Sequence, residues 1–209
     1  MQSAEIELKI AVPDLAAFQA RLSRLGFALE SPRTFEMNTL FDTPGRELRG
    51  RRQVLRIRQY GDVCTLTHKR MPDAGGASTA DATRYKTRIE TETTVAEGGA
   101  LAEVFRELGY GPVFVYEKFR TVWSDPAGAA LSEAGTPHLV LDETPIGTWA
   151  ELEGPVEWID RTLRRLGVDA AEGLTDSYGK LFLDWKARTG SPAEHLTFAE
   201  VGQPALVAR

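Results

Sequence analysis

The sequence predicts an α+β fold, an eight-stranded antiparallel β-barrel with external amphipathic helices. Three observations predict it. Period-2 alternation of apolar and polar residues recurs in eight segments, charged residues occupy the polar face in six of them, and a few segments of helical period lie between. The chain has 209 residues, of which 42% are hydrophobic, enough to bury a core; a wholly disordered chain is excluded.

The strand candidates, in order, are 4–11, 33–42, 53–60, 63–69, 84–95, 113–124, 138–143 and 148–153. Residues 4–11 set Glu5, Glu7 and Lys9 opposite Ile6, Leu8 and Ile10; residues 53–60 set Arg56 and Arg58 opposite Leu55 and Ile57. Thr65, Thr67 and Lys69 share a face of the fourth segment, and Lys86, Arg88, Glu90 and Glu92 share a face of the fifth. Lys118 and Arg120 share a face of the sixth, and Glu151 and Glu153 flank Leu152 in the last.

Helical spacing appears at Leu15, Phe18, Leu22 and Leu25, after Pro13-Asp14 and before Gly26. It returns at Leu101, Val104, Phe105 and Leu108, stopped by Gly109, and at Val156, Ile159, Leu163 and Leu166, stopped by Gly167. A last helix is expected over 176–188. One domain over 1–189 is followed by a partly ordered tail, 190–209, and residues 71–83 have the small, polar composition of a flexible loop.

Charge alternation ordinarily marks a solvated outer face. Here the amphipathic helices need apolar surface to pack on, and the apolar strand faces supply it. The charged faces then look into the barrel. Such a lumen is no dry core, because unpaired buried charge is prohibitively costly. Clustered carboxylates suit a hard divalent cation, and clustered Arg and Lys suit phosphate oxygens. Together they describe a metal–polyphosphate site.

Other residues take lesser parts. His68 lies on the face opposite Lys69, His138 and His195 lack ligand spacing, and Cys64 alternates away from the charged face. The run Arg46 to Arg52 is either a basic funnel at a tunnel mouth or a solvated loop. A net charge of −5 argues against a general nucleic-acid partner, and the single cysteine excludes an intrachain disulfide framework. Without an apolar run of membrane-spanning length, the sequence is expected to be cytoplasmic, free of membrane, and a monomer or homodimer.

Glu5-Ile6-Glu7-Leu8-Lys9 resembles the ExExK signature of the CYTH superfamily, the triphosphate tunnel metalloenzymes that include class IV adenylyl cyclases, thiamine triphosphatases and inorganic triphosphatases. Further segments resemble the family in order: Thr39-Leu40-Phe41-Asp42-Thr43-Pro44, Leu55-Arg56-Ile57-Arg58, Leu66-Thr67-His68-Lys69, Lys86-Thr87-Arg88-Ile89-Glu90, Glu117-Lys118-Phe119-Arg120, Leu141-Asp142, Glu151-Leu152-Glu153-Gly154, and Ser177-Tyr178 with Lys180. The resemblance covers about residues 4–186. It implies a tunnel in which Mg²⁺ or Mn²⁺ escorts a triphosphate such as tripolyphosphate or ATP.

Carried over, Glu5, Glu7, Glu151 and Glu153 would hold metal, with Asp142 or Glu90 assisting. Lys9, Arg56, Arg58, Lys69, Arg88, Lys118, Arg120 and Lys180 would hold phosphate, and Glu5, Glu7 and Lys69 would be catalytic. The implied activities are hydrolysis of tripolyphosphate or another triphosphate, cyclisation of ATP to cyclic AMP, or binding without turnover. Val54 stands where a stacking Trp is expected in animal thiamine triphosphatases. All the legible contacts are charges, with no aromatic array placed to grip a base.

Overall fold

In the computed structural model, which describes residues 2–72, 84–126 and 137–202, eight strands close into one antiparallel barrel in the order β1-β5-β4-β3-β2-β6-β7-β8. The strands are β1 (Gln2–Ala11), β2 (Ala28–Asp42), β3 (Val54–Tyr60), β4 (Val63–Arg70), β5 (Lys86–Thr94), β6 (Gly111–Ser124), β7 (His138–Thr144) and β8 (Gly147–Glu153). Each matches a period-2 segment of the sequence. The first part of β2 lay outside the expected strand because Pro32 interrupts its alternation; the pairing with β6 shifts register between Leu29 and Ser31 and again between Ser31 and Thr34.

The helices are α1 (Leu15–Arg24), α2 (Glu47–Gly50), α3 (Gly98–Glu107), α4 (Val156–Leu166), α5 (Tyr178–Thr189) and α6 (Phe198–Val201). Asp14 caps α1 by accepting from Ala17 N at 3.0 Å, and Gly167 ends α4 in the left-handed region at φ 56°. The apolar stripes of α1 and α4 bury Leu22, Trp158, Ile159, Leu163 and Leu166 against Leu8, Ile10, Leu139, Leu141 and Leu152. Those strand residues are the outward faces of β1, β7 and β8, so packing outside turns Glu5, Glu7, Lys9, Glu151 and Glu153 inward. On another side α3 sets Phe105 against Phe41, with ring centroids 5.2 Å apart, and its first turn abuts the buried Cys64.

The short α2 falls in the arginine run. Asp42 organises it: its carboxylate accepts from the backbone N–H groups of Thr43, Leu48 and Arg49 at 2.8, 2.9 and 3.0 Å. Burial pushes this carboxyl up, but those three donors prevail and hold it below the usual range. The Asp-Thr-Pro motif therefore serves the fold. Arg46, Arg49, Arg51 and Arg52 remain exposed.

β6 pairs with β7 only from Phe119 onward, so the same edge of its first half needs another partner. Residues after α5 supply it. Leu196 accepts from Glu117 N at 2.9 Å and donates to Val115 O at 3.0 Å, and its side chain is fully buried. Residues 190–202 of the expected tail thus pack on the barrel, whereas 203–209, like loop residues 73–83, lie outside the described residues. No helix among the described residues is long and apolar enough to cross a membrane.

Candidate active site in the barrel lumen

The barrel encloses a cavity of about 680 Å³. Seven lysine and arginine side chains line it, Lys9, Arg56, Arg58, Lys69, Lys86, Lys118 and Arg120, together with His138, and so do seven carboxylates, Glu5, Glu7, Glu36, Glu90, Glu92, Glu151 and Glu153. The alternation of six strands meets here because register sets opposite charges beside one another: Lys69 faces Glu90, Lys118 faces Glu36, and Lys9 faces Glu151.

Three carboxylates converge. One oxygen each from Glu5, Glu7 and Glu153 lies within 4.8 Å of the others. β1 supplies two and β8 the third, and Glu7 pairs directly with Glu153 across the strands. An all-oxygen anionic donor set fits a hard cation such as Mg²⁺ or Mn²⁺. The crowding is electrostatically visible: burial pushes the Glu5 carboxyl up, Lys69 pulls it back, and the neighbouring Glu153 and Glu90 carboxylates add to the burial so that it stays raised. Burial also pushes Glu153 up, but its bond to His138, 2.9 Å away, and the charges of His138 and Arg120 bring it to about 2.

The basic wall is held from behind. Asp142 is fully buried and accepts from Lys118 Nζ at 2.8 Å, Arg120 Nε at 2.7 Å, Arg120 Nη2 at 2.6 Å and the Tyr178 hydroxyl at 2.7 Å. Arg120 also reaches Glu151 at 2.7 Å, and Lys118 reaches Glu36 at 3.2 Å. The Tyr178 ring lies under two ammonium groups, 4.6 Å from Lys9 and 5.0 Å from Lys118. Arg56 donates to Tyr116 Oη at 3.2 Å and Thr67 Oγ1 at 3.1 Å, while Arg58 forks onto both oxygens of Glu92 at 3.1 and 3.2 Å. Arg56 Nε, Glu36 Oε2 and Asn38 Oδ1 are buried without a hydrogen-bond partner. Buried polar atoms of this kind call for a polar occupant.

The structure sorts the sequence-derived candidates. Glu5, Glu7, Lys9, Arg56, Arg58, Lys69, Glu90, Lys118, Arg120, Glu151 and Glu153 line the cavity. Glu151 and Glu90 stand apart from the three-carboxylate group as ion-pair partners of Lys9 and Lys69. Asp142 sits behind the wall, saturated by donors. Arg88 has the expected strand parity, yet it does not line the cavity, and its guanidinium donates to Thr87 O at 3.0 Å. Lys180 is 54% exposed, pairs with Asp184 one helical turn along, and does not line the cavity. From the same helix, Tyr178 enters in its place.

Sequence reasoning gave no role to Glu36, although the alternation Glu36-Asn38 against Phe35-Met37 carried the signal. Lys86 and Glu92 lie on the charged face of their strand with no function legible in the sequence, and His138 carries no ligand spacing there. The wall is also less purely charged than expected. Leu40, Val54, Phe114, Tyr116, Val122 and Val140 line it, and the rings of Phe114 and Tyr116 stack with centroids 5.9 Å apart.

The family model described as the CYTH domain matches residues 3–173. A candidate adenylate cyclase from Vibrio parahaemolyticus has a similar structure, with a TM-score of 0.66 at 18% identity, covering 87% of this chain and 98% of that one. The PH1819 protein from Pyrococcus horikoshii OT3 gives 0.66 at 23% identity, with 87% and 99% covered. HpAC1 from Hippeastrum, a candidate adenylyl cyclase with a dominant triphosphatase activity, gives 0.57 at 20% identity, with 87% and 96% covered. Likeness at these identities shows the fold. No curated protein matches the chain.

Proposed function

The chain belongs to the CYTH family, and from that premise we propose that it hydrolyses a triphosphate, inorganic tripolyphosphate or an organic one, in a Mg²⁺- or Mn²⁺-dependent reaction inside the barrel. One observation carries the reading: three converging carboxylates share a cavity with seven lysine and arginine side chains. With seven carboxylates against seven lysines and arginines, and His138 beside Glu153, the lining carries little surplus charge of its own. A bare polyphosphate would bring several uncompensated negative charges into a low-dielectric space, whereas its divalent-cation complex enters with part of that charge already neutralised.

Glu5, Glu7 and Glu153 would hold the cation, which when bound neutralises phosphoryl oxygens and lowers the pKa of bound water. The chain's own residues position and exclude. Arg56, Lys118 and Arg120 are fixed by partners behind them, so their donors are aimed before the substrate arrives. Phosphoryl transfer asks for this geometry and charge neutralisation more than for a side-chain nucleophile. Arg58 and Lys69 complete the cradle from β3 and β4.

A second reading, cyclisation of ATP to cyclic AMP and pyrophosphate, is favoured by the stacked Phe114 and Tyr116 with Leu40 and Val54 in the same wall, which offer an apolar surface to a base. Release of phosphate, pyrophosphate and cyclic AMP from tripolyphosphate and from ATP, with and without Mg²⁺ or Mn²⁺, separates the two. Cation-dependent phosphate release supports the hydrolase. Cyclic AMP from ATP with tripolyphosphate left intact replaces it by the cyclase, and binding without turnover makes the tunnel a receptor.

A further inference from the structure

Each carboxylate of the converging group is engaged by a basic side chain from another strand. Lys69 Nζ on β4 lies 2.5 Å from Glu5 Oε2, Lys86 Nζ on β5 contacts Glu7 Oε1, and His138 on β7 holds Glu153. Lys69 also lies 3.0 Å from Glu90.

The lysines of the lumen fall into two kinds. Lys9 and Lys118 are 2% exposed and pinned by carboxylates outside the group, Glu151 for one, Asp142 and Glu36 for the other. Lys69 and Lys86 are 17% and 20% exposed, line the cavity, and grip the carboxylates a cation would claim. A lysine ammonium on its flexible stem can be redirected without moving the strand, unlike a forked guanidinium held by two partners.

We propose that Lys69 and Lys86 are exchangeable counter-ions that couple cation binding to polyphosphate binding. A divalent cation displaces them from Glu5 and Glu7, and their charge passes to phosphate oxygens. The inference rests on the metal–triphosphate reading of the lumen. Its logic is a matching of pairs. A cation arriving alone strips Lys86 of its anion and leaves Lys69 with Glu90 alone, and a polyphosphate arriving alone draws the lysines off and leaves three carboxylates facing one another. Arriving together, the two ligands leave every charge with a partner. The coupling is reciprocal by thermodynamic necessity, each ligand strengthening the other by the same factor.

Calorimetry tests this with Mn²⁺ and imidotriphosphate, a tripolyphosphate analogue bridged by nitrogen. Each is titrated alone and then against protein saturated with the other, after correction for the Mn²⁺–analogue complex formed in buffer. The wild-type chain should show equal mutual strengthening of about tenfold or more. In Lys86→Gln, Mn²⁺ alone should bind about tenfold more tightly and the coupling factor should shrink, because the competing ammonium is gone. Lys86→Arg, which keeps the charge, should retain weak binding of Mn²⁺ alone.

A wild-type factor near one overturns the exchange while leaving the triphosphate site standing, and this measurement depends on no variant's folding. Unchanged or weaker Mn²⁺ binding in a Lys86→Gln chain with the wild-type melting curve also overturns it. If neither ligand binds in any combination, the metal–triphosphate reading fails and the inference with it.

Discussion

Asp142→Asn removes one charge and one acceptor from the most enclosed carboxylate in the barrel while conserving its shape. Asp142 accepts four hydrogen bonds, three of them at Oδ2 from Lys118, Arg120 and Tyr178, and one at Oδ1 from Arg120 Nε. The amide does least harm with its oxygen at the Oδ2 position. Its NH₂ then meets the Arg120 Nε–H, so a donor faces a donor. Breaking a buried ion pair by removing one partner costs about 3–5 kcal/mol, and the low end applies here because other anions remain. Arg120 keeps Glu151 at 2.7 Å, and Lys118 keeps Glu36 at 3.2 Å. At roughly 2–4 °C per kcal/mol for a chain of this size, a loss of about 3 kcal/mol lowers the melting temperature by about 6–12 °C. Thermal unfolding followed by circular dichroism, with and without Mg²⁺, reads it directly. A shift below about 2 °C would refute the anchoring role, since that corresponds to about 1 kcal/mol or less. A shift confined to samples containing Mg²⁺ would make Asp142 a ligand, the role the motif resemblance implies.

Three further outcomes follow from the geometry. Glu153→Gln withdraws one anionic donor from the converging group, and cation-dependent turnover should fall on the order of 10²-fold, a loss steady-state kinetics would detect. Undiminished turnover would remove Glu153 from the site. Glu36 concerns pH: burial pushes its carboxyl up, but Lys118, Arg120, Arg56 and Asn38 bring it to about 2, below its unfolded value. It therefore stabilises the fold above the unfolded pKa, and that contribution is lost as pH falls through about 4.5 to 2; denaturant melts should show Glu36→Gln with a shallower loss across this window. Leu196→Ala empties a fully buried position on the free edge of β6 and should cost about 2–5 kcal/mol in urea unfolding, whereas a cost under 1 kcal/mol would mean that the segment adds little to the barrel.

Period-2 alternation and three amphipathic helices were enough, read along the chain, to determine a barrel whose charged faces look inward. Alternation fixes which side of a strand a residue takes, and helices that must bury their apolar stripes decide which side is outside. Glu5, Arg56, Lys69 and Lys118 were legible for that reason. Parity says nothing about height along the barrel axis, which depends on register and shear between strands distant in sequence. Only the tertiary structure brought Glu153 of β8 beside Glu5 and Glu7 of β1, sank Asp142 behind the basic wall, and left Arg88 off the cavity despite its correct parity. The same limit governed α5. Two residues apart on a helix are about 200° apart around its axis, so the packing of Phe182 on Phe114 sends Tyr178 into the lumen and leaves Lys180 in solvent. A face is a local property of the sequence, but a site is a meeting of faces, and the closed barrel alone sets where they meet.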